Sequence, residues 1–183
     1  MKLQEYYKKE ILPKLKKELG IKNQMAVPRL SKIVVNVGFG RAAKEKDIAK
    51  TVAENLASIT GQKAVLTKAK KAVSAFKIRE GMIIGAMVTL RGKRMYDFAE
   101  KLINIYFPRV RDFRGLNEKS IDRSGNLTVG FRDIFAFPEV EVQDLENPHG
   151  LEAIIATTAK NKAEGFALFK ALGFPIKEEK EDK

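Results

Sequence analysis

Lys32-Ile33-Val34-Val35-Asn36-Val37-Gly38-Phe39 is the run that decides the fold. Its β-branched residues favour a strand, and Gly38 and Gly40 end it. Asn36 interrupts an otherwise apolar stretch. On a buried face its amide would need hydrogen-bond partners, whereas on an open face water supplies them. The strand therefore belongs to a sheet with one covered face and one open face.

Elements on either side fit that reading. Tyr7, Ile11, Leu15 and Leu19 recur every four residues and mark a helix, in which Pro13 should produce a kink or mark a restart and which Gly20 should end. Ile48, Val52, Leu56 and Ile59 form a second helical stripe, stopped by Gly61. Ala64 to Thr67 reads as a short strand. Lys68 to Gly81 has no period and reads as a long loop or irregular hairpin. Gly85 to Leu90 is a further strand, and Met95, Phe98, Leu102 and Tyr106 give a third helix that Pro108 closes. Asn126 to Val129 and Ile134 to Phe137 are weaker strand candidates separated by Gly130. Pro138 to Gly150 is an acidic loop, and Leu151 to Thr158 is a strand. Asn161 and Glu164 have capping-box spacing before the last helix, which runs to Gly173 and Pro175. The expected class is α+β, a mostly antiparallel sheet with helices packed on one face and the other left open. Residues 1–176 are expected to form one domain with an N-terminal helix, and residues 177–183 a charged, disordered tail.

Charge is distributed unevenly. The chain carries a net +12 over 183 residues. Between Gln62 and Arg114 there are 13 Lys or Arg against 4 Asp or Glu, while from Asp133 to Lys183 there are 6 against 11. Clustered cations of this kind neutralise phosphates, and an acidic flank repels the same partner. Cysteine is absent and His149 is the only histidine, so disulfides, thiolate metal sites, His-based metal clusters and most His-centred triads are excluded. No apolar run reaches the length of a membrane span, and the N-terminus is charged. The expectation is a soluble, intracellular protein. Membrane-surface binding stays open to any basic chain, though no basic amphipathic helix with large apolar anchors dominates, and no membrane partner is expected.

Three basic clusters carry the chemistry. Lys68, Lys70 and Lys71 lead into Phe76, Lys77, Ile78 and Arg79, a loop equipped to grip phosphates and stack on a base. Met82, Ile83 and Ile84 add apolar residues to the same segment. Thr89-Leu90-Arg91-Gly92-Lys93-Arg94 sets a hydroxyl and three cations around a strand end and helix start, where Arg91 can form bidentate contacts. Pro108-Arg109-Val110-Arg111-Asp112-Phe113-Arg114-Gly115 alternates guanidiniums with apolar residues, and Asp112 can pair with one of them. Gly38, Gly40 and Ala43 formally match the dinucleotide fingerprint at a strand end. The next strand lacks the carboxylate that would hold a ribose, so a nucleotide-dependent oxidoreductase or transferase is the weaker reading. His149 reads as a loop residue. Glu139, Glu141, Asp144 and Glu146 lack the spacing and glycine of a calcium loop and read as solvated.

The segments Asn36-Val37-Gly38, Ser58-Ile59-Thr60-Gly61-Gln62-Lys63, Thr67-Lys68-Ala69-Lys70-Lys71, Val88-Thr89-Leu90-Arg91-Gly92-Lys93-Arg94-Met95 and the Pro108–Gly115 run resemble the bacterial large-subunit ribosomal protein five family. The resemblance extends from about Leu3 to Pro175. It implies a structural, non-enzymatic protein of the central protuberance with no cofactor and no small-molecule substrate. A concave open face would bind 5S rRNA and help attach it to large-subunit rRNA. It carries Asn36, Gln62, Lys63, Thr89 and Arg91 over as 5S rRNA contacts, with Lys68 and Lys70 on phosphates. The loop Val73 to Gly85, through Phe76, Lys77, Ile78 and Arg79, would reach the peptidyl-site tRNA. An intersubunit bridge to a small-subunit head protein would use this loop and the region from Arg109 to Glu146, with Arg109, Arg111 and Arg114 as its residues. The chain departs from the family pattern at Glu80, at Asn147-Pro148-His149 and in its C-terminal tail. A general basic RNA chaperone is the remaining alternative.

Overall fold

The computed structural model describes residues 2–40, 47–132, 134–140 and 149–177. Five strands form one mostly antiparallel sheet: β1 (Leu30–Gly38), β2 (Val65–Lys68), β3 (Ile83–Leu90), β5 (Leu127–Phe131) and β6 (Leu151–Thr157), in the order β2-β3-β1-β6-β5. A second, two-stranded parallel sheet joins β4 (Leu116–Asn117) to β7 (Ile176–Lys177). The expected α+β class is the one observed. In β1, Ile33, Val35 and Val37 have no exposure, while Val34 and Asn36 are half-buried. β5 and β6 alternate in the same way, with Leu127, Val129, Phe131, Leu151, Ala153 and Ile155 inside. Strand side chains point to opposite faces in turn, so the sheet is one-sided.

Backbone contacts divide the chain into two compact units. The first comprises residues 1–33, 91–129 and 154–183. Its N-terminal helical segment contains α1 (Leu3–Tyr6), a π-helical turn (Tyr7–Ile11) and α2 (Leu12–Glu18). Pro13 does not break the segment. It lies in the first turn of α2, and the wider turn before it lets the Leu12 amide bond to the Tyr7 carbonyl. The Tyr7 hydroxyl donates to the Pro28 carbonyl at 2.8 Å, tying this helix to the entry of β1.

The same unit holds α4 (Gly92–Lys101), a second π-helical turn (Leu102–Tyr106) and the short α5 (Phe107–Arg109). Pro108 therefore sits inside the closing helical turn instead of after it, one residue before the segment ends at Arg109. In α6 (Lys162–Leu172) the Asn161 side chain accepts from the Glu164 amide at 2.8 Å, as the spacing predicts. The reciprocal bond differs: the Glu164 carboxylate accepts from the Lys160 amide, one residue earlier than a capping box requires. Gly125 and Gly165 let the turn before β5 approach α6. A Cβ on Gly165 would come within 2.5 Å of Gly125 backbone.

The second unit comprises residues 34–90 and 130–153. Here α3 (Ile48–Thr60) lays Val52, Leu56 and Ile59 against β3, whose Ala86, Val88 and Leu90 are buried. Phe131 and Phe137 meet edge to face. Ile134–Ala136 is a single 3₁₀ turn and not a strand, and Gly130 lies within β5 and does not end it. The acidic residues 141–148, Ala43 of the glycine motif and the tail beyond Lys177 lie outside the described residues.

Burial pushes the Tyr7 phenol up to about 12, with neighbouring Tyr96 adding to the rise and Arg29 opposing it. The unfolded phenol ionises near 10 while the folded one stays protonated. Stability should hold below pH 10 and fall as pH rises towards 12. Tyr7→Phe should weaken that decline and cost about 1–3 kcal/mol at neutral pH by leaving the Pro28 carbonyl unpaired, as read by thermal melts.

Candidate nucleic-acid interface

The corner after α3 fixes the first part of the site. Gly61 takes a left-handed conformation (φ 67°) and its amide bonds to the Ala57 carbonyl at 2.8 Å, closing the helix. The Thr60 hydroxyl donates to Leu56 at 2.6 Å. The turn delivers Gln62, whose side-chain amide donates to the Thr89 carbonyl at 3.1 Å. Gln62 thus pins the corner to the end of β3. Its role includes positioning, which its place in a contact motif alone does not reveal.

β2 and β3 are antiparallel, pairing Val65 with Met87, Leu66 with Ala86 and Thr67 with Gly85. Residues paired across a ladder share a face. Thr89 and Met87 therefore lie on the half-exposed side with Val65 and Thr67, away from buried Ala86, Val88 and Leu90. Asn36 occupies the half-exposed side of β1, the strand next to β3. These floor residues are uncharged: Asn36, Thr67 and Thr89 are polar, and Val65 and Met87 are apolar. The cations stand around it: Lys63, Lys68 and Lys70 are exposed at the ends of β2, and exposed Arg91 follows β3 directly. A slip in register between Thr67 and Lys68 re-aims Lys68, a bulge at the edge of the site.

Residues 69–82 form an irregular hairpin. Ala69 bonds to Met82 and Gly81, and Val73 and Ile78 exchange two backbone bonds of 2.9 and 3.1 Å. Between them Ser74–Phe76 makes a 3₁₀ turn, and Lys77 sits at φ 54°, uncommon for a side chain with a Cβ. Phe76 is 65% exposed at this tip, with Lys77 and Arg79 also exposed and Ile78 half-buried. The expected loop of Val73 to Gly85 is shorter than its sequence implies, because Ile83, Ile84 and Gly85 already belong to β3.

Arg109, Arg111 and Arg114 lie in the first unit, apart in the chain from these residues, and all three are exposed. Asp112 adopts φ 52° and forms no ion pair with them among the described residues. Phe113 instead turns inward to stack on Phe107 at 5.1 Å. Gly38 lies in β1, and the Phe39 amide is committed to the Ile84 carbonyl at 2.9 Å. Helix α3 opens only at Ile48, so the glycines are not at its N-terminus, where a pyrophosphate would bind. Among the described residues, no group of three acidic, His or Cys side chains could hold a metal, and no helix is long and apolar enough to cross a membrane.

Two family models match, ribosomal protein L5 over residues 23–79 and the C-terminus of the same ribosomal family over residues 83–176. The large ribosomal subunit protein uL5 of Francisella tularensis subsp. novicida is 51% identical over 176 residues, covering 96% of this chain and 98% of that protein. The protein of the same name from Herpetosiphon aurantiacus is 48% identical over 177 residues, covering 97% and 99%. The class is therefore that of the ribosomal proteins, structural and not enzymatic. Within it, the chain belongs to the ribosomal protein L5 family.

Gly85 is the tightest point of the floor. A Cβ there would lie 2.7 Å from the Thr67 hydroxyl and 2.8 Å from the Val37 carbonyl. Gly85→Ala should force β1 and β3 apart locally and destabilise the protein by about 1–3 kcal/mol. Denaturant titration would measure it, and amide exchange should quicken first at Phe39 and Thr67.

Proposed function

We propose that this protein is a structural constituent of the large ribosomal subunit that binds 5S rRNA and helps attach it to large-subunit rRNA at the central protuberance. The observation that carries this reading is the uncharged, half-exposed floor bounded by exposed cations. Phosphates need cations at their own spacing, while bases and ribose hydroxyls need neutral donors and acceptors. Lys63, Lys68, Lys70 and Arg91 serve the first need. Asn36 and Thr89 serve the second, and Gln62 holds the two strands' ends in place for both. The names of the relatives support the ribosomal setting.

The hairpin tip serves a second RNA. Phe76 offers a ring for stacking, and Lys77 and Arg79 offer charge beside it, the equipment for gripping the peptidyl-site tRNA. Arg109, Arg111 and Arg114 form the bridge to a small-subunit head protein, with Phe113 anchoring their backbone.

Affinity for 5S rRNA should fall with salt, with a log–log slope of roughly 0.7–0.9 per neutralised phosphate. Arg91→Ala should weaken binding by about 1–3 kcal/mol. A nearly salt-independent affinity, equal affinity for an unrelated structured RNA, or an unaltered Arg91→Ala variant would each count against the assignment.

Phe76→Ala should leave 5S rRNA binding intact. In reconstituted subunits it should weaken peptidyl-site tRNA by about 1–3 kcal/mol, the usual worth of one stacked base. Filter binding of tRNA reads the difference directly.

A further inference from the structure

We propose that a pocket in the first unit, between the N-terminal helical segment and the start of α4, holds one unpaired nucleotide of RNA. The pocket has a volume of about 380 Å³, inside the range of small-ligand sites, roughly 300–1,000 Å³. Its lining includes Tyr7, Lys8, Met25, Arg29, Gly92 and Tyr96. The inference rests on the RNA-binding reading above but concerns residues outside the β1–β3 floor.

The charge of the lining selects the ligand's sign. Lys8 and Arg29 are exposed at its rim, and no Asp or Glu lines it among the described residues. Helix α4 opens at Gly92 with no capping side chain and no acidic residue in its first turn. Unsatisfied amides at a helix start favour an anion. Arg29 is held on the rim from both sides of its peptide. Its amide donates to the Thr158 hydroxyl at 3.1 Å, and its carbonyl accepts from the Thr158 amide at 2.9 Å.

Tyr96 supplies a second, independent observation. It is 8% exposed and lines the pocket, yet its hydroxyl has no hydrogen-bond partner among the described residues. Tyr7, whose ring centroid lies 6.1 Å away, spends its hydroxyl on Pro28. The Tyr96 oxygen is not among the buried unpaired polar atoms, so with the ring packed away the hydroxyl stays accessible, and a free donor in a cationic pocket is suited to a phosphate or ribose oxygen. Met25 is 74% exposed beside it, a polarisable surface against which a base can lie. Cation, phenol and apolar ledge together match phosphate, sugar and base.

Two RNAs share this chemistry, 5S rRNA and large-subunit rRNA, and each is tested separately with the full-length protein. Arg29→Gln should weaken binding to the RNA that supplies the nucleotide roughly tenfold, the loss expected of one charge-assisted contact. It should also lower the salt slope by about 0.7–0.9. Tyr96→Phe, which keeps the ring and the packing, should weaken binding without changing the slope. In chemical probing, one unpaired nucleotide protected by the unaltered protein should become reactive with both variants while the remaining footprint persists. If Arg29→Gln lowers the melting temperature, Tyr96→Phe decides alone. Variants that bind both RNAs like the parent, while Arg91→Ala weakens, overturn the pocket and leave the floor standing. Failure of the unaltered protein to bind either RNA overturns both.

Discussion

Ile33, Val35 and Val37 are fully buried in β1, and their burial dictates what the opposite side of the strand must be. A strand cannot hide consecutive side chains on one face, so Val34, Asn36 and Gly38 are turned the other way. Because β1 lies between β3 and β6, the same division passes along the sheet. Helix α3 can cover only the face that carries Ala86, Val88 and Leu90. A one-residue slip of β1 would bury Asn36 and expose three aliphatic side chains. The whole arrangement of floor and rim depends on that register.

Short-range devices then hold the rim. Gly61 ends α3 within one residue, and the Gln62 amide reaches the Thr89 carbonyl across a gap of 27 residues in sequence. The absence of a side chain at Gly85 lets Thr67 sit against the floor, and the bulge that follows turns Lys68 outward. These are local solutions, and each acts on a neighbour that contacts RNA in the proposed function. Loss of any one should move cations relative to neutral donors without unfolding the sheet.

Much of this could be read from the amino-acid order. Asn36 in an aliphatic run declares an open face because burying an amide is costly, and Gly61, Gly173 and Asn161 stand where helix ends need them. The exposed Lys and Arg of the three clusters are where their charge puts them. The hairpin was less legible, because the bonds of Ala69 and Val73 are made by backbone that carries no period. Ile83 and Ile84 looked like loop residues beside Gly81 and Gly85, yet pairing with β2 draws Ile83 into the sheet. The positions of Pro13 and Pro108 inside helical segments depend on π-helical turns that widen the backbone nearby. Asp112 was an obvious local partner for arginine, but its left-handed backbone and the inward stacking of Phe113 settle that turn instead. The Gln62–Thr89 bond and the open Tyr96 donor arise from contacts between distant segments, which spacing cannot disclose.

The separation of an uncharged floor from a cationic rim has a kinetic meaning. Long-range attraction to the rim acts before contact and governs how often a polyanion arrives, and dissolved salt screens it. The floor acts only after contact, through short-range bonds that salt barely touches, and governs how long the visitor stays. Two RNAs of equal charge and length would reach this surface at the same rate. They would be told apart by their departure.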